Sequence, residues 1–219
     1  MRAAQIKFHS IVISLSTLIY FSFYESLNSL IKINPLFKIA LSALATLSLY
    51  RIIASLLLWV INKTRPLRKW VLGPSYMEGT WVGFYIGMSG KVRFIVERYE
   101  QDIFKTTVRG HSYKEDKTYH TSWKSMSADI NVDGGEVSYM YELKGISEKT
   151  NGNGIAFFNL IRKSQDAPPF QLKGFSADLQ YDGRRTRANE IKISDDQKID
   201  DIAALNKAIE FYNEQKEYF

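Results

Sequence analysis

Up to about residue 61 the chain is an almost continuous apolar run, and beyond about residue 79 apolar and polar positions alternate. A long apolar run predicts helix in lipid, whereas period-two alternation predicts strands with one buried face. The first apolar stretch, Phe8 to Tyr24, is barely long enough for a hydrocarbon core of about 30 Å and extends toward Ile33. The second, Leu36 to Ile61, is long enough to span with some tilt. A signal-peptide reading of the first stretch finds no small-x-small cleavage site, and a second apolar segment follows closely.

Gly73-Pro74 marks the change of pattern. After it come eight strand-like stretches: Thr80–Gly87, Lys91–Glu100, Asp102–His111, Thr118–Ala128, Val137–Gly145, Ile155–Lys163, Phe170–Tyr181 and Thr186–Ile193. The turn signals MSG, SYKEDK, DGG, NGNG, DAPP and YDGRR lie between them. Short turns between successive strands give an antiparallel meander, and closing it removes its exposed edges. In Lys198–Phe219, Ile199, Ile202, Leu205, Ile209 and Tyr212 recur at helical spacing.

The expected fold is a membrane-anchored all-β protein. Two N-terminal transmembrane helices precede an eight-stranded antiparallel, lipocalin-like β-barrel and a C-terminal helix. The expected divisions are 1–72 for the anchor and basic linker, 73–197 for the barrel and 198–219 for the final helix.

Charge adds an orientation. The chain has 29 basic and 23 acidic residues, a formal excess of +6. Arg2 and Lys7 precede the first apolar stretch, and Lys63, Arg65, Arg68 and Lys69 follow the second. Both ends are therefore expected in the cytoplasm, with the connecting turn ESLNSLIKINP (25–35) outside and Asn34-Pro35 starting the second helix. Much of the basic excess suits anionic headgroups, so it argues only weakly for nucleic acid, and no DNA partner is expected. Arg51 lies deep in the second helix, as a local contact or as a polar group facing a partner helix. The absence of cysteine removes disulfides, thiolate catalysis and thiolate metal sites.

Alternation also assigns the barrel interior. If Trp81 points inward, so do Gly83 and Tyr85. Tyr119, Thr121 and Trp123 share a face, as do Val137, Tyr139, Tyr141 and Leu143. The same reading groups Phe157 with Asn159, and Arg187 with Asn189 and Ile191. An interior of rings and polar groups suits a planar, polar ligand, although strand aromatics also serve as plain core filler. Arg184, Arg185 and Arg187 form either a solvated turn or an anion-binding rim. His111 and His120 lack metal-ligand spacing, and no phosphate loop or nucleophile elbow is present. No enzyme activity, metal or cofactor is expected.

Several features, taken in order after the anchor, carry a resemblance. They are Glu78-Gly79-Thr80-Trp81, Gln101 with Phe104, Tyr139-x-Tyr141, Gly152 and Gly154, and Leu172-x-Gly174. Together they resemble the CD-NTase-associated two-transmembrane β-barrel effectors of bacterial cyclic-oligonucleotide antiphage signalling (CBASS). The chain departs from that pattern where Phe104 or Ile103 stands in place of a Trp, at Ser176 in place of a Tyr, and before the sixth strand, where Asn replaces a His. The resemblance implies a cyclic dinucleotide ligand, assembly into a homo-oligomer through the helices, and disruption of the bacterial inner membrane. Under it, Tyr85, Trp123, Tyr139 and Tyr141 would stack on or hydrogen-bond the ligand. Arg185 and Arg187 would meet its phosphates, and Trp81 would close the barrel floor. Two other readings stand beside it: a tethered barrel carrying a lipid or other apolar ligand, and a filled barrel that docks proteins.

Overall fold

The computed structural model describes residues 2–30, 35–87, 89–145, 151–179 and 183–218. The chain divides into two compact units at residues 72 and 73. Of the turn expected over 25–35, residues 25–30 belong to the first helix instead; residues 31–34, Met88 of the MSG turn and residues 180–182 of the last hairpin lie outside the described residues.

The first unit holds α1 (Arg2–Leu30), α2 (Pro35–Lys63) and α3 (Arg65–Leu72). Pro35 opens α2, where its missing N–H costs nothing. Within α1 and α2, spans of 21 residues (Ala3–Phe23) and 27 residues (Phe37–Lys63) are long and apolar enough to cross a membrane. Most of their large apolar side chains point away from protein: Leu18, Phe21, Ile39, Leu47 and Ile52 are all more than three-fifths exposed. Lipid is the solvent in which such a surface is cheap. The helices meet through buried Phe8, Val12 and Ile53, and His9 Nδ1 lies 2.7 Å from the Tyr50 hydroxyl. Arg51 lies on an exposed part of α2. The segment expected as a plain basic linker forms α3 instead. There Lys7 of α1 donates to the Trp70 carbonyl at 2.9 Å and sits 3.7 Å over the Trp70 ring.

The second unit is a closed barrel in simple up-and-down order. Its strands are β1 (Gly79–Ile86), β2 (Val92–Gln101), β3 (Thr106–Tyr113), β4 (Tyr119–Asn131), β5 (Glu136–Gly145), β6 (Gly152–Arg162), β7 (Pro169–Asp178) and β8 (Arg185–Ser194). Helix α4 (Asp201–Gln215) follows. Several expected boundaries move, and β4 runs on past Ala128 to Asn131. Asp102 turns the chain by accepting from the Phe104 and Lys105 amides, each at 2.7 Å, so β3 starts only at Thr106. Gly152–Gly154, expected as a turn, belongs to β6 and pairs with Leu143, Glu142 and Tyr141.

Two apolar cores flank the sheet. One fills the barrel around Trp81, Tyr99, Tyr139, Phe158 and Leu172. The other lies outside, where Val82, Phe84 and Val96 of β1 and β2 are covered by Ala204, Leu205, Ala208 and Phe211 of α4. Asp200 caps α4 by accepting from the Ile202 and Ala203 amides. Asp201 then fixes the helix to the sheet. It accepts from Tyr113 at 2.7 Å and lies 3.1 Å from His111 Nδ1, and it forms an ion pair with Arg98. Partial burial opposes ionisation, but these bonds win and hold its carboxyl down to about 2. Asp201→Asn is expected to loosen α4 first, visible as faster amide exchange along the helix with the barrel still protected. Because the folded value is depressed, the native chain loses this contribution as pH falls toward about 2, and the variant lacks that loss.

Candidate functional site

The barrel is solid at one end and hollow at the other. The solid end is where the chain enters: Ser75 and Met77 are buried, and Gln101 ties them down. Its Oε1 accepts from the Met77 amide and its Nε2 donates to the Ser75 carbonyl, both at 2.8 Å. Trp81 is fully buried, donates to the Met77 carbonyl at 2.8 Å and packs 5.6 Å from the Tyr99 ring. It closes the floor as expected.

Above this floor lies a cavity of about 70 Å³, lined by Tyr85, Trp123, Tyr139, Tyr141, Phe158 and the carboxyls of Glu97, Glu190 and Asp178, among others. All four ring residues expected at the site are there. Space for them comes from glycine on neighbouring strands. A Cβ on Gly110 would fall 2.1 Å from the Trp123 ring, and one on Gly154 would fall 2.3 Å from the Tyr141 ring. The two large rings thus lie flat against the wall, and the centre stays open.

The deepest polar feature is a pair of glutamates. Glu97 and Glu190 are each 1% exposed. They stand on the strands either side of β1, where Gly83 contributes no side chain: a Cβ there would meet Glu190 Cγ at 2.7 Å. Glu97 Oε1 accepts from Trp123 Nε1 at 2.8 Å and from the Tyr139 hydroxyl at 2.7 Å. Glu97 Oε2 and Glu190 Oε2 have no partner in good hydrogen-bond geometry, although the two carboxyls adjoin. A single proton held between them would complete both. Burial raises both values: the Tyr139 and Trp123 bonds restrain Glu97, while the Glu97 charge pushes Glu190 further up. Near the mouth the Tyr141 hydroxyl donates to Asp178 at 2.7 Å, and burial with the Asp178 charge raises the tyrosine.

This pair gives stability a definite slope with pH. The folded values lie above the unfolded ones, so the contribution is complete below the ordinary glutamate range. It is lost as pH rises through the raised values. The unfolding free energy from denaturant titration is expected to fall as pH rises above the ordinary glutamate range, and Glu190→Gln is expected to flatten that slope. An unchanged slope in the variant would assign it to other groups.

The structure separates the expected arginines from the rings. On β8 the inward positions are Thr186, Ala188 and Glu190, so Arg185 and Arg187 face outward. Asn189 and Ile191 follow the outward side, and on β6 so do Phe157, which is 42% exposed, and Asn159. Tyr119, grouped with the interior, is also 42% exposed. On the outer face Arg185 sits 4.5 Å over the Phe175 ring, and Arg187, Lys173 and Phe175 line a groove of about 530 Å³ with Tyr218. At the mouth an inward-facing cation is Arg93, opposite Tyr85 and close enough for its charge to act on that hydroxyl. Its place in the alternating pattern of β2, two residues before Ile95, was the available signal.

Among the described residues, no group of three His, Asp or Glu side chains is placed to hold a metal ion. Comparisons with protein-family models, with curated proteins and with solved structures give no match for this chain.

Proposed function

We propose that this chain is a non-enzymatic, membrane-tethered receptor whose barrel admits the ring of a small second messenger, with a cyclic dinucleotide as the ligand class. The observation that carries the reading is a ring-lined cavity above a sealed floor, in a chain that also has two helices fit to cross a membrane. Rings on Tyr85, Trp123, Tyr139 and Tyr141 suit stacking on a base. A cavity of about 70 Å³ suits one ring system rather than a whole dinucleotide. The sugar-phosphate part would then stay at the mouth, where Arg93 is an inward-facing cation.

In this reading both termini are cytoplasmic, the helices lie in the bacterial inner membrane, and ligand favours an assembled state of several chains that disrupts it. Moving that equilibrium from mostly dispersed to mostly assembled requires about 5.5 kcal/mol of differential binding. The test is calorimetric titration of a panel of cyclic dinucleotides into the full chain in nanodiscs. Saturable heat at micromolar ligand is expected with at least one. Silence across the panel would remove the reading.

One observation favours a second reading. Arg185 and Arg187 face outward, and the cavity wall contains no Lys or Arg among the described residues. An uncharged ligand would fit such a wall better than a phosphate would. A neutral lipid or sterol-like ligand titrated alongside the nucleotides separates the two, since only one series should compete for the cavity.

A further inference from the structure

The groove on the outer face of the sheet gathers positive charge that the chain does not neutralise. Alternation puts Lys173 and Phe175 of β7 and Arg185, Arg187 and Asn189 of β8 on one outward face. Strand pairing sets Lys173 beside Asn189 and Phe175 beside Arg187. Among the described residues, no Asp or Glu lines this groove. The side chains of Lys173 and Arg187 form no ion pair or hydrogen bond with another described residue, whereas Arg98, Arg109 and Lys192 each have a carboxylate. Arg185 is held 4.5 Å over the Phe175 ring, a contact that spends none of its N–H donors on hydrogen bonds. Asn189, only 3% exposed, accepts at Oδ1 from Gln171 Nε2 at 3.0 Å, which leaves its Nδ2 as an unused donor. The groove is thus opposite in sign to the carboxyl-lined cavity on the other side of the sheet.

We propose that this groove is a second binding site, separate from the cavity, and that it takes the terminal phosphate or diphosphate group of a phosphorylated molecule. Two guanidinium forks can each hold a pair of phosphate oxygens, and Lys173 adds a point charge. Such a set matches a group of high charge density: a terminal phosphate carries about −1.5 to −2 at neutral pH. A carboxylate or a phosphodiester brings a single charge and matches it less well. The groove's volume of about 530 Å³ is that of a small-molecule site. The same three cations would hold the phosphate of a soluble molecule or of a lipid headgroup. The proposal does not rest on the receptor reading, because the sheet lies between the groove and the cavity.

The experiment uses the full chain in phosphatidylcholine nanodiscs, with inorganic pyrophosphate as the probe and titration calorimetry as the readout. Saturable binding is expected, weakening as salt rises. Arg187→Gln is expected to weaken it at least about tenfold, and Lys173→Gln by less. Arg184→Gln removes a neighbouring exposed charge that does not line the groove, and is expected to change affinity less than about twofold. Gly154→Val, which alters the cavity, is expected to leave pyrophosphate binding unchanged, so the groove and the receptor reading fail separately. Equal losses in Arg187→Gln and Arg184→Gln would reduce the site to diffuse surface charge and overturn the proposal. Absence of saturable heat would overturn it as well. So would displacement of pyrophosphate by cyclic di-AMP, which would make the groove the site of the receptor's own ligand. Nanodiscs containing phosphatidic acid or phosphatidylglycerol then separate the two sources. Pyrophosphate affinity that falls with phosphatidic acid alone supports a lipid headgroup in the groove, and affinity that is the same in both supports a soluble phosphate.

Discussion

Trp81→Ala is expected to cost the barrel about 3 to 5 kcal/mol, read as a large fall in the urea midpoint of the full chain. The side chain is fully buried in the sealed end, and nothing nearby is free to collapse into the space. Its removal subtracts packing against Tyr99 and Met77 and takes the indole N–H from the Met77 carbonyl. That carbonyl belongs to the segment that plugs the floor, so the loss should spread to the Gln101 bonds at Met77 and Ser75. Trp81→Phe keeps a ring but not the donor and is expected to cost about 1 to 3 kcal/mol. A domain of this size has about 5 to 15 kcal/mol in all, so the alanine variant approaches the threshold of folding. If Trp81→Ala were nearly neutral, the sealed floor would not be what sets the register of β1, and the cavity above it would lose its fixed base.

The strands were legible because alternation and turn chemistry agreed at nearly every hairpin. The strand faces were legible only where one side of the sheet meets water. On β5 the inward set of Val137, Tyr139, Tyr141 and Leu143 is marked by polar Ser138 and Glu142 between them, and the expected face matches the structure. On β8 the marker misleads. Ile191 looks like a core residue and is one, but its core lies outside the barrel, under α4. Reading Ile191 as interior carried Asn189 and Arg187 inward with it and placed Glu190 on the surface. On β6 the run Ile155-Ala156-Phe157-Phe158 is apolar on both faces, so period two gives no sign. The glutamate pair was invisible for the same reason. A carboxylate in an alternating strand reads as the solvent side, and only the tertiary structure shows Trp123 and Tyr139 donating to Glu97.

Charge then divides what composition had joined. Rings and arginines read as one site in the chain, yet the sheet lies between them, with carboxyls on the ring side. Elsewhere the unit pairs its cations: Arg98 with Asp201, Arg109 with Glu100 and Lys192 with Asp195. Carboxyls thus line the interior, and in the receptor reading the phosphate of a nucleotide would stay where they end.

Gly154→Val is expected to abolish ligand binding, with a loss of at least about a hundredfold, while the barrel still folds. Its new Cβ would sit 2.3 Å from Tyr141 Cζ and 2.4 Å from the hydroxyl, distances no side chain tolerates. The phenol must leave the wall, and the space open to it is the cavity. The movement breaks its bond to Asp178 and takes up space in a cavity of only about 70 Å³. Valine suits a strand, and the register of β6 is held by eight pairs to β5 and nine to β7, so the cost to stability should stay at about 1 to 3 kcal/mol. Titration with the nucleotide panel and far-ultraviolet circular dichroism measure the two effects separately. Arg187→Glu serves as the control, since it changes the outer groove and leaves the cavity intact. Wild-type affinity in Gly154→Val, with binding lost in Arg187→Glu, would transfer the site to the outer face of the sheet.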